Sequence, residues 1–308
     1  MKLLFPGMMF FLVLLYFPHS GFSQYKTDQK LEKQLKVLLD SFHGTAGVYV
    51  RNLKTGKEAA IHADTLFPTA SIIKLPILAG IFNKIDAGEY TYHQPLVYHD
   101  SISRGGSGLM QYFKDTTKID LRTAIVLMIT HSDNTAAVWC EKLAGGGQVI
   151  NSWLADHGFQ FTRLNARTPD REANRELYGW GQTTPREMAE LLVMIREGKA
   201  VSAAASECMY RILTQVFWDE YALSQIPPYV QTASKQGMLD ESRSEVVLVN
   251  APHGDYVFYV ATKNNKDQRW EPDNEAWQLA RNLSAFLWNY FEPRSGWKPA
   301  VGVEKYFH

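Results

Sequence analysis

The chain is poor in cysteine and has no excess of either charge. Only Cys140 and Cys208 occur among 308 residues, so a disulfide framework does not support the fold. Lysine plus arginine and aspartate plus glutamate both total 32, so the charge does not favour a nucleic-acid or anionic-membrane partner. The 9 histidines are scattered without ligand-like spacing, so we expect no metal site and no cofactor. The two cysteines could pair, but Cys140 lies in an apolar helical pattern, which favours two buried thiols.

The first 23 residues have the features of a secretory signal peptide. Lys2 is their only charge, an apolar run extends from Leu3 to Phe17, and small residues precede a cut before Gln24. A membrane anchor is the alternative, but the run is short for a span and is interrupted by proline and glycine. We therefore expect a signal peptide over 1–23, export to the periplasm, and no stable membrane anchor after cleavage.

The hydrophobic pattern predicts a sheet built from both ends of the chain. Alternating or continuous apolar residues predict strands at 46–51, 58–62, 229–234, 244–251 and 256–262. Helical spacing predicts helices at 30–42, 121–130, 135–143 and 275–291. We therefore expect an α/β (α+β) domain over 24–308, in which an antiparallel sheet lobe, about 27–66 and 225–291, carries an inserted all-helical lobe, about 67–224.

Ser71 and Lys74 are three residues apart, which places a hydroxyl and an amine on one face of a helix. The amine can then take the hydroxyl proton and activate Ser71 as a nucleophile. Apolar neighbours such as Ile72 and Ile73 favour a desolvated lysine with a lowered pKa. Thr69 or Ser71 could cap the helix start, whose free N–H groups would face a developing oxyanion. Alone, the same spacing is also common in exposed polar pairs.

Two further motifs follow in a defined order. Ser132-Asp133-Asn134 begins about sixty residues after Ser71, and Lys235-Gln236-Gly237 begins about a hundred residues later. Together they resemble the Ser-x-x-Lys, Ser-Asp-Asn and Lys-x-Gly set of class A β-lactamases and penicillin-binding proteins. The resemblance covers residues 27 to 291 and implies an active site between the sheet lobe and the helical lobe.

The resemblance implies acyl transfer at Ser71. Ser71 would form an acyl-enzyme with a carbonyl substrate, and Lys74 would act as its base or proton relay. Ser132 would pass a proton to the leaving nitrogen, a step that needs a hydroxyl between two amines, here Lys74 and Lys235. Asp133 would cap the following helix.

The resemblance also implies the groups that bind substrate. Asn134 would hydrogen-bond a substrate amide, and Lys235 would attract a substrate carboxylate. Gly237 would let the ligand approach the strand closely. The backbone N–H groups of Ser71 and Met238 would form the oxyanion hole.

The third motif departs from the family pattern at Gln236, where the family has threonine or serine. A hydroxyl that would bind the substrate carboxylate is therefore missing. Arg243, on the neighbouring predicted strand, could supply that contact instead, or it could be solvated near its turn.

The loop from Arg167 to Thr184 carries a second departure. The resemblance implies a glutamate here, followed four residues later by asparagine, which together hold the water that hydrolyses the acyl-enzyme. Asp170 has that spacing to Asn174 but a shorter side chain, whereas Glu172 has the length at a different spacing. Either carboxylate could be the base for deacylation, and an ordinary surface charge is the alternative.

These features lead us to expect a monomeric, periplasmic serine β-lactamase that opens a β-lactam amide through an acyl-enzyme at Ser71. The same chemistry would serve a D-alanyl-D-alanine peptidase or esterase, which needs no strong deacylation base. A β-lactam or muropeptide-binding module that acylates once is the alternative outside catalysis. In each case the expected partner is a small-molecule β-lactam or a D-alanyl peptide.

Overall fold

The structure, a computed structural model, describes residues 25–307. The predicted signal peptide lies outside the described residues. Among the described residues, no helix is both long enough and apolar enough to cross a membrane.

Strands and helices divide the described chain into segments close to those predicted. The strands are β1 (Lys26–Thr27), β2 (Thr45–Asn52), β3 (Lys57–Ile61), β4 (Phe67–Pro68), β5 (Pro95–Val97), β6 (Lys118–Asp120), β7 (Arg163–Leu164), β8 (Gly181–Thr183), β9 (Thr232–Leu239), β10 (Ser242–Val249) and β11 (Tyr256–Lys263). The α-helices are α1 (Gln29–Leu39), α2 (Lys74–Asp86), α3 (Leu121–Thr130), α4 (Asn134–Leu143), α5 (Gly146–Asp156), α6 (Glu172–Tyr178), α7 (Pro185–Arg196), α8 (Ala203–Leu213) and α9 (Glu275–Phe291).

The main sheet has six strands in the order β1-β3-β2-β11-β10-β9. Its neighbouring strands are antiparallel, except that the two-residue β1 runs parallel to β3. The predicted fold class, a sheet formed by both chain ends with helices inserted between them, is therefore confirmed. The predicted start of β9 at Tyr229 was three residues early. Pro227 and Pro228 hold that segment in a turn, in which the N–H of Val230 donates to the carbonyl of Pro227.

Helices cover both faces of the sheet. On one face α1 and α9 bury leucines such as Leu35 and Leu283 against inward residues of β2, β10 and β11. On the other face α7 packs against β2, β10 and β11, and the remaining long helices gather around α2. Residues 74–82 of α2 are all buried, so the segment that follows Ser71 is the centre of the helical lobe.

The loop from Arg167 to Thr184 contains the short helix α6, which has no buried residue, and the small strand β8. The two cysteines are unpaired, as predicted, but only Cys140 is buried and Cys208 is partly exposed.

Candidate active site

Ser71 lies on a 3₁₀ turn, Ala70–Ile73, that leads directly into α2 at Lys74. Neither Thr69 nor Ser71 caps the helix through its side chain, and Ala70 has a φ of 43°, a strained value for a residue with a side chain. Strand β9 presses against this turn. A Cβ added to Gly237 would lie 2.3 Å from the carbonyl oxygen of Thr69, so glycine is required there for close packing.

The side chain of Lys74 joins the first two motifs. It is fully buried, and its Nζ lies 3.0 Å from Ser71 Oγ, 3.1 Å from Ser132 Oγ and 2.8 Å from Asn134 Oδ1. It also donates to the carbonyl oxygen of Ser132 at 2.5 Å. The amine is therefore within reach of the Ser71 proton, as general-base activation requires.

Ser132 stands between two amines. Its Oγ lies 3.1 Å from Lys74 Nζ and 3.0 Å from Lys235 Nζ. Ser132 has a φ of 53°, and the next residue, Asp133, caps α4 by accepting from the N–H of Ala136. The cap and the strained backbone hold the hydroxyl where a proton can pass between the lysines.

Burial weakens the basicity of both lysines. Burial lowers the pKa of Lys74 well below its usual value, the charge of Lys235 adds to this effect, and Asp133 opposes it. Burial also lowers the pKa of Lys235 to about 7, with the carboxylate of Glu245 opposing the shift. A lowered pKa makes the neutral amine of Lys74 available as a base near neutral pH.

The predicted binding residues surround this centre. Both polar atoms of the Asn134 side-chain amide form hydrogen bonds, because its Oδ1 accepts from Lys74 and its Nδ2 donates to the carbonyl of Gly105 at 3.0 Å. Gly237 lies behind the Ser71 turn, and Met238 is partly exposed near the end of β9. These positions leave the amide-binding role of Asn134 and the oxyanion role of Met238 as predictions.

The guanidinium of Arg243 is packed against tryptophans rather than solvated near its turn, and its contact with a substrate carboxylate stays a prediction. Arg243 is 3% exposed, and its guanidinium carbon lies 4.4 Å and 5.2 Å from the ring centroids of Trp270 and Trp277. Its N–H groups donate to backbone carbonyls, including that of Asp240 at 3.0 Å. The side-chain amide of Gln236 donates to the carbonyl of Trp218.

Asp170 precedes the short helix α6 and Glu172 begins it, in the loop that follows β7. Both side chains are exposed, and neither carboxylate forms a hydrogen bond to Ser71 or Lys74. Asn174 donates to Gln182 at 3.0 Å within the same loop. The role of Asp170 or Glu172 as the base for deacylation therefore stays a prediction.

An aromatic side chain that sequence reasoning missed borders Lys74. The ring centroid of Trp180 lies 5.5 Å from Lys74 Nζ and 5.3 Å from the guanidinium carbon of Arg167. Arg167 in turn forms an ion pair with Glu141 of α4. Trp180 stands between two glycines in the sequence, a context that carries no catalytic signal.

Glu245 is a second residue that the motifs did not reveal. It is 2% exposed on β10, and its carboxylate accepts from Ser234 Oγ and from the N–H of Ala222, both at 2.9 Å. Burial raises its pKa to about 7, and nearby Glu220 adds to the shift. The available sequence signal was an acid directly before the apolar run Val246–Val249 of a predicted strand.

The described residues also bear on metal binding. Within 25–307, no group of three or more histidine, cysteine, aspartate or glutamate side chains could hold a metal ion.

Comparisons with known proteins identify relatives of this chain by sequence and by fold. Residues 30–291 match the sequence profile of the beta-lactamase enzyme family. Beta-lactamase VEB-1 of Pseudomonas aeruginosa is 21% identical over 283 residues, 88% of this chain and 93% of the relative. The solved structure of PBP-A has a TM-score of 0.77 at 26% identity, covering 88% of this chain and 99% of that one. An ancestral class A β-lactamase has a TM-score of 0.75 at 21% identity, covering 85% and 100% respectively, a likeness of fold.

Proposed function

The chain belongs to the beta-lactamase enzyme family, and on that premise we propose that it is a serine hydrolase that opens β-lactam amides through an acyl-enzyme at Ser71. The proposal rests on one observation: two hydroxyls and two amines form a continuous chain of hydrogen-bond contacts. Lys74 Nζ is 3.0 Å from Ser71 Oγ, and Ser132 Oγ lies between Lys74 and Lys235.

Acylation follows from these contacts. Neutral Lys74 takes the proton of Ser71 as Oγ attacks the β-lactam carbonyl, and the backbone N–H groups of Ser71 and Met238 receive the oxyanion. When the amide C–N bond breaks, Ser132 gives its proton to the ring nitrogen and regains one from protonated Lys74. Lys235 attracts the substrate carboxylate beside that nitrogen.

Deacylation is proposed to be the slow step. Hydrolysis of the ester at Ser71 needs a water activated by a base within hydrogen-bond reach. Asp170 and Glu172 are exposed and form no direct hydrogen bond with Lys74 or Ser71, and Lys74 has the indole of Trp180 beside it. The enzyme would therefore open β-lactams faster than it releases the products.

The same observation favours a second candidate, a D-alanyl-D-alanine peptidase or esterase. Peptide and ester acyl-enzymes lack the carboxylate and the bulky ring fragment of a penicilloyl group, so water reaches their ester carbon more easily. Ser71, Lys74 and Ser132 would serve both reactions without change.

We also propose the arrangement of the whole chain. Residues 1–23 would be a signal peptide that directs export to the periplasm, and residues 24–308 would form one hydrolase domain that acts as a monomer. The apolar run of residues 3–17 and the small residues before Gln24 support export.

Intact-mass spectrometry over time tests the function. Residues 24–308 are mixed with benzylpenicillin, with a depsipeptide ester of D-alanine, or with buffer. We expect a gain of the full penicillin mass that decays slowly, and a short-lived or invisible adduct with the ester, which is consumed. A preparation that gains no mass with penicillin and consumes neither substrate would disprove acylation at Ser71.

A further inference from the structure

The side chains of His131, Phe217 and Trp218 form an aromatic wall that begins at His131, the residue before Ser132. The imidazole of His131 stacks on the ring of Phe217, with centroids 5.3 Å apart and planes 14° from parallel. The ring of Trp218 meets Phe217 edge-on at 5.2 Å. Phe217 nevertheless leaves 51% of its surface exposed.

Backbone and side-chain hydrogen bonds hold this wall in place. The N–H of Phe217 donates to the carbonyl of Thr130 at 2.9 Å, at the end of α3. The carbonyl of His131 accepts from Ser107 Oγ at 3.0 Å and from the indole N–H of Trp218 at 3.4 Å. The wall is therefore attached to the helix end that presents Ser132.

The same segment reaches across to β9. The carbonyl of Trp218 accepts from the side-chain amide of Gln236, which follows Lys235 in the strand. Residues 217–218 therefore connect the Ser132 side of the cleft to the Lys235 side. Because Ser132 protonates the leaving atom and Lys235 attracts the adjacent carboxylate, the leaving half of the substrate lies beside this segment.

We propose that the exposed face of Phe217, supported by its stack on His131, is a specificity wall for the leaving half of the substrate. It selects substrates that carry a flat apolar group next to the leaving atom. This inference rests on the proposed acylation at Ser71. A ring packed on Phe217 gains both apolar burial and aromatic contact, which together give about a tenfold preference over a methyl group.

Two esters with one acyl half test the wall. An N-acyl-D-alanyl group is joined to D-lactate or to D-3-phenyllactate, so both esters produce the same acyl-enzyme. Ser71 Oγ forms the new ester bond, the old C–O bond breaks, and the hydroxy acid leaves with the proton that Ser132 passes. Release of each hydroxy acid then gives the acylation kcat/KM.

The parent should prefer the phenyllactate ester about tenfold. Phe217→Ala should lose that preference while its kcat/KM for the lactate ester stays within twofold. Phe217→Tyr keeps the ring and should keep the preference. Tyr229→Ala is the matched control, because Tyr229 is an exposed aromatic residue, 73% exposed, in the turn before β9.

Different outcomes would contradict the specificity wall at Phe217 and the proposed acylation at Ser71. Equal rates for both esters in the parent, or an equal loss on both esters in Phe217→Ala, would overturn the wall while leaving acylation at Ser71 intact. A parent that releases neither hydroxy acid and gains no mass with penicillin would overturn the proposed function itself, and the wall with it.

Discussion

The indole of Trp180 lies beside the amine of Lys74, with 5.5 Å between its ring centroid and Nζ. An aromatic face stabilises the protonated amine by a cation–π contact but cannot accept a proton from water. Lys74, the proposed general base of acylation, therefore has an aromatic neighbour and donates no direct hydrogen bond to the carboxylate of Asp170 or Glu172. This relationship distinguishes the two halves of the proposed reaction, acylation and deacylation.

Replacing the nucleophile should abolish covalent labelling without unfolding the protein. Ser71→Ala removes one hydroxyl from a turn held by β9, so we expect an unchanged melting temperature and no mass gain with penicillin. Lys74→Ala should keep the hydroxyl but slow labelling by about a hundred- to ten-thousandfold, because general-base assistance is lost. Labelling of Ser71→Ala at the parent rate would show that another residue is the nucleophile.

The exposed loop carboxylates should contribute little to deacylation. Asp170→Asn and Glu172→Gln each keep the side-chain shape and remove the base, so we expect penicilloyl-enzyme lifetimes within about twofold of the parent. The measurement is the decay of the adduct mass after excess penicillin is removed. A much longer lifetime in one variant alone would identify that residue as the base, and the loop would then have to move to bring it to Ser71.

Arg243 should contribute to the stability of the fold and should not contribute selectively to reaction with a carboxylate-bearing substrate. Arg243→Ala removes a guanidinium packed against Trp270 and Trp277 and empties the space it fills. We expect a loss of about 2 kcal/mol in the free energy of unfolding, measured by urea denaturation. Acylation by penicillin and by a neutral ester should change equally. A loss confined to penicillin would instead show that Arg243 contacts the substrate carboxylate.

Glu245 should make stability depend on pH. Its pKa is raised from 4.5 to about 7 in the folded state, so the folded protein binds more protons than the unfolded chain between those values. The free energy of unfolding therefore falls as pH rises from 4.5 through 7. The shift corresponds to about 3 kcal/mol at most. In Glu245→Gln this decline should disappear.

The measurement is the melting temperature of variant and parent from pH 5 to pH 9, compared at each pH so that titrating groups other than Glu245 and the coupled Lys235 cancel. The variant should gain stability relative to the parent as pH rises from 5 to 8. Glu271→Gln, at an exposed acid, is the matched control and should follow the parent. A constant difference between Glu245→Gln and the parent would show that Glu245 has the same pKa in both states.

Local sequence patterns predicted most of the fold. Helices α3 and α9 have the predicted bounds, because an aspartate and an asparagine cap their first turns and apolar spacing continues to their ends. Apolar alternation predicted four long strands of the sheet within two residues at each end, whereas β9 spans 232–239 instead of the predicted 229–234. The three motifs also indicated which hydroxyls and amines would meet, because each motif lies where a short segment faces the cleft.

Only the tertiary structure decided the surroundings of those groups. The sequence left open whether Arg243 is solvated or binds substrate. In the structure its guanidinium packs against Trp270, in the segment before α9, and Trp277, in α9. Likewise, Trp180 approaches Lys74, and Phe217 stacks on His131, although the members of each pair are far apart in the chain. The burial of Glu245 also depends on elements that pack around it. Such contacts depend on how helices and strands pack in three dimensions, whereas helix spacing, capping and strand alternation depend on neighbouring residues alone.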